Sequence, residues 1–313
     1  MQLRLFVALI LVLGALTQGT LAQPVSPDNA IAAAVPPRKV ISWVAPYAIP
    51  QTRARLANLY GGVGPRNALT HLALQFWTPT KGGDKVARST KYGAISNQTI
   101  NGFVTWGHSN GIKVLLCVYN GENGWDWSLV QASIKPQTRN AFIGALIAQM
   151  QALKLDGIDV DLEGAGGEYP ADKANYVAFV RELARRVHLL GKIVPVDSFP
   201  AQWNAPNWNW WAALFPHVDA INSMGYEELG RNGAGWQSYV AQKSKAGAHS
   251  AKLNIGIPSY LPSWLGNTTL QQVQWFRTTQ AGRVGIAIWD AQFPDASWKS
   301  APVWNNLRYI RQH

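Results

Sequence analysis

A single cysteine in 313 residues, Cys117, leaves no means of building an internal disulfide, so stability has to come from a packed core. Cys117 itself falls in an apolar run and reads as a small buried hydrophobe. Acidic residues are also scarce, 17 against 28 Lys and Arg, which gives a formal charge of +11. The six histidines, at positions 71, 108, 188, 217, 249 and 313, show no metal-ligand spacing. The chain has no Gly-x-Ser-x-Gly elbow, no His-Glu-x-x-His pair and no phosphate-binding loop. The glycines at 164, 166 and 167 follow an expected strand but lack the third spaced glycine of a dinucleotide loop. Basic residues are scattered, without a finger, basic-helix or RNA-recognition motif, so a nucleic-acid partner is not indicated. No metal and no cofactor is implied.

No apolar run is long enough to span a bilayer. The longest, residues 5–16, follows Arg4 and precedes the small-residue stretch Thr20-Leu21-Ala22, the pattern of a secretory signal removed after residue 22. The mature chain would keep 313 − 22 = 291 residues and, with Arg4 gone, a charge of +11 − 1 = +10. That charge favours polyanionic surfaces such as walls or acidic polysaccharide, and equally serves solubility. Residues 23–38 are rich in Pro and Ala without amphipathic period and read as a flexible lead-in. A single domain is expected over 39–313.

Short apolar runs then alternate with helical patterns, the rhythm of parallel βα units. Strands are expected at 40–44, 71–76, 113–119, 157–162, 193–196, 220–224, 253–257 and 284–289. Between them apolar residues recur at helical spacing, as in Phe142, Leu146, Met150 and Leu153 and again in Tyr176, Phe179, Leu183, Val187 and Leu190. Eight such units predict an α/β fold, a closed (β/α)8 TIM barrel. Only 26 residues separate the last two strands (258–283), room for a loop and a helix but not for an inserted α+β domain.

The stretch 155–167, Leu-Asp-Gly-Ile-Asp-Val-Asp-Leu-Glu-Gly-Ala-Gly-Gly, concentrates the acids that are rare elsewhere. On a strand, Asp159, Asp161 and Glu163 share one face and Ile158, Val160 and Leu162 the other. The apolar face suits packing under helices. Crowded carboxylates cannot all ionise, so one or two hold a proton near neutrality and titrate together. Glu163, at the carboxyl end of the strand, is the candidate proton donor. A solvated acidic edge, or a metal site on Asp159 and Asp161, is the alternative reading of the same pattern.

Asp156, Gly157, Asp159, Asp161 and Glu163 match an Asp-x-x-Asp-x-Asp-x-Glu pattern that resembles the signature of glycoside hydrolase family 18, the chitinases and their relatives. The resemblance implies a catalytic set of Glu163, Asp161, Asp159 and Tyr226, the tyrosine belonging to a segment 222–227 that is similar to the family's Met-x-Tyr-Asp. Tyr226 would contact the 2-acetamido group of the sugar being cleaved, with Met224 beside it. Glu227 stands where the family has Asp or Asn. Trp289 matches the tryptophan beneath the reacting sugar. Asp156 and Gly157 are expected to support the motif. Cys117-Val118-Tyr119-Asn120 departs from the family's Ser-x-Gly-Gly, and Tyr119 there either crowds the groove or contacts sugar. Of 15 tryptophans, Trp43, Trp77, Trp125, Trp127 and Trp289 fall at strand ends or in the loops after them, where sugar rings would stack, whereas Trp236, Trp275 and Trp304 lie on helical stretches.

The resemblance implies a secreted, retaining endo-hydrolase of β-1,4-linked N-acetylglucosamine polymers, working by substrate-assisted catalysis as a monomer on a polysaccharide partner. Two alternatives remain: the same chemistry on peptidoglycan or N-glycan cores, and a non-catalytic chitin-oligosaccharide-binding, lectin-like protein.

Overall fold

A computed structural model describes residues 37–164, 170–202, 204–226, 236–264 and 266–313. The expected signal at 1–22, nearly all of the lead-in and Glu227 lie outside the described residues. The last residue of the lead-in does not behave as one: Arg38 is buried and donates to the carbonyls of Phe276 and Gly282. The fold therefore starts one residue earlier than its hydropathy pattern implies.

Among the described residues eleven strands run in chain order: β1 (Val40–Val44), β2 (His71–Pro79), β3 (Val86–Arg88), β4 (Lys113–Tyr119), β5 (Ile158–Asp161), β6 (Pro195–Ser198), β7 (Ala220–Ser223), β8 (Leu253–Pro258), β9 (Ser263–Trp264), β10 (Asn267–Thr268) and β11 (Gly285–Trp289). The order β1-β11-β8-β7-β6-β5-β4-β2, closed by a β1–β2 pairing, is a ring of parallel strands. This is the (β/α)8 barrel read from the sequence, with β3 added antiparallel to the rim of β2. The interval between β8 and β11 holds the small β9–β10 hairpin and one helix, and no further domain.

The described residues also form ten α-helices, which follow the strands: α1 (Ile49–Ala57), α2 (Pro65–Ala68), α3 (Asn97–Ser109), α4 (Trp127–Ile134), α5 (Arg139–Ala152), α6 (Pro170–His188), α7 (Trp211–Leu214), α8 (Trp236–Ala246), α9 (Thr269–Arg277) and α10 (Ala301–Gln312). Local chemistry sets their starts. Ser96 accepts from the Thr99 N–H at the head of α3, and Thr268 and Gln271 form a reciprocal capping box on α9. No helix among the described residues is long and apolar enough to cross a membrane.

The large hydrophobic core lies between the strands and the helices. Ile158, Val160 and Leu162 pack there with Phe142, Leu146 and Met150 of α5 and with Tyr176, Phe179 and Leu183 of α6, all at most 1% exposed. The barrel interior is a second, smaller cluster of Ile41, Trp43, Ala73, Leu115, Cys117 and Ala287. Above it the inward positions turn polar, with Gln75, Asp159, Asp161, Asp197 and Asn222 all buried. A polar layer inside a barrel is costly unless its groups satisfy one another. It lies towards the carboxyl ends of the strands, the face where barrels of this architecture carry their sites.

Candidate active site

Asp156 precedes β5 and fastens it. Its Oδ2 accepts from the Val114 N–H at 2.9 Å and contacts His108 Nε2 at 2.7 Å, and its Oδ1 accepts from Lys192 Nζ at 3.2 Å. Burial would raise this carboxyl, but those donors outweigh it and hold the group below its ordinary value. Gly157 then runs against the next strand: a Cβ there would lie 2.2 Å from the Ile193 carbonyl oxygen. Both residues support the motif, and neither reaches the cleft.

Asp159 and Asp161 point into the barrel. Asp159 Oδ2 accepts from Trp43 Nε1 at 2.8 Å, and its Oδ1 lies 3.4 Å from Asn222 Nδ2. Burial first, and then the charge of Asp161, push Asp159 up to about 7. Asp161 is raised by burial, against the hydrogen bonds it shares with Glu163 and Gln75, the latter's Nε2 donating to Oδ2 at 2.6 Å. Its other oxygen, Oδ1, is buried with no hydrogen-bond partner among the described residues. The crowding argument thus yields the right direction, but removal from water is the larger cause.

A third acid joins them. Asp197, at the end of β6, is buried and pushed well up by burial and by Asp159 and Asp161, while Asn222 Nδ2 donates to it at 2.7 Å. In sequence it is an isolated Asp in a short apolar run, and only barrel closure brings it to the motif. Asn222 and Asn254 extend the network, Asn254 Nδ2 donating to Asn222 Oδ1 at 2.7 Å. Ligand atoms of Cys117, Asp161 and Asp197 lie within 4.8 Å of one another. Burial pushes all three groups towards their protonated forms, which bind metal poorly.

Over this layer lies a cleft of about 660 Å³ lined by Gln75, Trp125, Asp161, Glu163, Asp197, Phe199, Asn204, Met224, Tyr226 and Trp289. Glu163 is half-buried, just past the end of β5, and faces the same space as Tyr226. Tyr226 and Trp289 stack at 6.2 Å between centroids and 11° between planes. Gly256 makes room for the tyrosine, since a Cβ there would come within 2.7 Å of Tyr226 Cδ1 and 2.2 Å of the Ser223 carbonyl.

Four residues expected to offer sugar contacts are placed elsewhere. Trp43 is 1% exposed beneath Trp289, and its N–H serves Asp159 rather than a substrate. Trp77 is fully buried in the helix layer, its Nε1 lying 3.4 Å from Gln149 Oε1. The cause is a register shift in β2 between Gln75 and Trp77, which sends the second of these outward while the first stays on the barrel axis. Tyr119 is 4% exposed, donates to Ser89 Oγ at 3.0 Å and meets Trp125 edge-on at 6.3 Å, so it props a cleft wall without forming one. Burial pushes its hydroxyl up to about 12. Trp127 packs against Tyr176 and donates to Asp172, away from the cleft. Trp236 and Trp275 stack on each other at 5.8 Å in the helix layer, where Trp304 is also buried.

Sequence reading missed Asp197, Asn204, Phe199 and Gln75. None belongs to a run that stands out, and only Gln75, polar within the apolar run 71–77, carries a signal. It also left Asn120 without a role; its side-chain amide bonds the main chain of Glu163.

Comparison with known proteins adds three findings. The family model described as glycosyl hydrolases family 18 matches residues 44–310. A "chitinase-like effector" of Moniliophthora perniciosa is 30% identical over 125 residues, covering 37% of this chain and 27% of that protein, so the match spans about a quarter of the relative's length. Among solved structures, a chitinase from Chromobacterium violaceum superposes with a TM-score of 0.68 at 17% identity, over 86% of this chain and 99% of that one. The spore cortex-lytic enzyme SleL of Bacillus cereus does so with a TM-score of 0.65 at 15% identity, over 87% and 74%. At those identities the superpositions establish the shared fold alone.

Proposed function

The chain belongs to glycosyl hydrolase family 18, and on that premise we propose that it is a secreted, retaining endo-hydrolase of β-1,4-linked N-acetylglucosamine polymers. The observation that carries this reading is the pairing of Glu163 on the cleft with Asp161 directly behind it, whose Oδ1 is buried and has no hydrogen-bond partner among the described residues. A buried acceptor without a donor is unfavourable in the free protein. An acetamido N–H of a bound sugar supplies the missing donor.

The reaction then needs only these side chains and the substrate. The Glu163 carboxyl passes its proton to the departing glycosidic oxygen as the bond from that oxygen to the anomeric carbon breaks. The substrate's own acetamido oxygen closes on the anomeric carbon, giving an oxazolinium ion, the substrate-assisted variant of the retaining mechanism. Asp161 holds the acetamido N–H and offsets the developing positive charge, while Asp159, held near neutral protonation, limits the negative charge behind it. Tyr226 and Trp289 shape the floor on which the reacting sugar lies. Water then opens the ring, giving its proton back to Glu163, and the configuration is retained.

The reading is tested with soluble N-acetylated chito-oligosaccharides. Products of retained configuration are expected by NMR, with cellulose left uncut, and inversion or efficient cellulose cleavage would overturn it. Glu163→Gln is expected to bind oligosaccharide and to lose turnover by about 10²-fold or more; unchanged turnover would overturn the assignment. Binding without turnover in the parent protein would favour the lectin-like reading. The short β8–β11 interval supports a shallow groove and endo-type cutting, and disaccharide dominating the earliest products would count against that. The formal charge of +11 favours a second substrate, bacterial wall glycan, which release of reducing ends from sacculi against chitin oligomers distinguishes. Secretion predicts a mature N-terminus at Gln23.

A further inference from the structure

The segment Cys117-Val118-Tyr119-Asn120 is where this chain departs furthest from the family pattern, and Asn120 gives the departure a purpose. Its side chain is fully buried. Asn120 Oδ1 accepts from the Glu163 N–H at 2.8 Å, and Asn120 Nδ2 donates to the Glu163 carbonyl at 2.7 Å. The backbone pairing of β4 with β5 ends at Tyr119 and Asp161. A side-chain amide offers the same donor and acceptor as a peptide, so Asn120 adds a further two-bond rung after the ladder has stopped.

That rung falls where the acid needs it. Glu163 lies outside the strand, and the next residue, Gly164, is tied to Ala205 on the other side by bonds of 2.7 and 2.9 Å. The main chain at the acid is therefore held from both flanks, by Asn120 on one and Ala205 on the other. Asn120 Nδ2 also lies 3.3 Å from the Asp126 carbonyl, in the loop that carries Trp125 to the cleft. Trp125 has a left-handed backbone, φ 61°, and covers Gly121, where a Cβ would come within 2.7 Å of its indole. A non-glycine residue in that region costs energy unless its surroundings impose it.

We propose that Asn120 is a positioning residue, which clamps the main chain of Glu163 to set where the acid meets the glycosidic oxygen and ties the loop bearing Trp125 to the same amide. The proposal rests on the hydrolase reading above. Asparagine is specifically suited to it: a carboxylate at this position lacks the donor for the Glu163 carbonyl, and alanine lacks both bonds.

The test compares two substrates that differ only in how much they need the acid. A chito-oligosaccharide leaves as a sugar alkoxide unless protonated, whereas a dinitrophenyl chito-oligosaccharide has a leaving group that departs without a proton. Asn120→Ala is expected to lower kcat/KM, which reports cleavage of the glycosidic bond and not the later attack of water, by about 10²-fold on the oligosaccharide, the scale of a misplaced catalytic group, with kcat/KM on the dinitrophenyl substrate changed far less. Asn120→Asp, nearly isosteric, carries the same comparison should the alanine variant fail to fold. Equal losses on the two substrates, or no loss on either, would overturn the positioning role. Glu163→Gln serves as the control: if it shows the leaving-group dependence while Asn120 variants do not, only the present inference fails, and if it keeps turnover on the oligosaccharide, the hydrolase reading fails and this one with it.

Discussion

Trp43 shows how far a residue's role can move from the one its type suggests. A tryptophan at a strand end of a barrel from this family invites a stacking role, yet here the ring is buried and its N–H donates to Asp159 at 2.8 Å. A donor to a carboxylate favours the ionised form, so this bond works against the burial that pushes Asp159 up. Trp43→Phe, which keeps the ring and removes the donor, is expected to raise the Asp159 titration further, by about one pH unit for a bond of ordinary charge-assisted strength. Carboxyl ¹³C NMR titration reads the shift, and a titration that stays in place or moves down would show that the bond does not act on the ionised form. Glu163, Asp161, Tyr226 and Trp289 were legible because an acidic run on one strand face and a resemblance pointed to them. Asp197 and Asn120 were not, because each reaches the site through a neighbour 25 or more residues away in the chain.

Among the elements, β5 is short, and what precedes it does much of the work of placing it. Gly157 bridges to Ile193, and the strand has no room for a side chain there. Gly157→Ala would press a methyl group against a backbone carbonyl that cannot rotate away, so a loss of about 2–4 kcal/mol is expected, the range of overpacked core sites. Urea unfolding checks it as a lower midpoint at unchanged slope, and an unchanged midpoint would mean that the strands part without cost. The strands read from hydropathy agree with β1 and β4 to the residue, because both are continuous apolar runs with clear ends. β2 runs three residues further than the apolar run 71–76 suggests and contains the register shift that turns Trp77 outward. Period-two alternation carries no mark of a bulge, so the sequence pattern holds no sign that Trp77 turns outward. β3 and the β9–β10 hairpin were missed because runs of two or three residues carry no period.

For the whole molecule, the buried acids make stability depend on pH. The unfolded chain releases the Asp159 proton near pH 3.9, whereas the folded chain keeps it up to about 7. Between those values folding takes up a proton, so stability is highest at the acid end of the window and falls as pH rises through it. Asp161 and Asp197 are shifted in the same direction. Asp159→Asn removes one titration and is expected to flatten the dependence of the melting temperature between pH 4 and 7. A difference between parent and variant that stays constant with pH would show that Asp159 does not hold its proton in the folded chain.

By itself, the sequence determined that strands and helices alternate, that their apolar faces pack between sheet and helices, and that a set of carboxylates sits at one strand's carboxyl end. Those are properties of neighbours along the chain, where period and spacing carry the information. Which buried acid faces which, that Trp43 is a donor and Trp77 a helix-layer residue, and that Asn120 grips the acid were decided only when the barrel closed. Closure brings side chains from every strand into one low-dielectric space, and the partners met there have no fixed separation along the chain for a pattern to record.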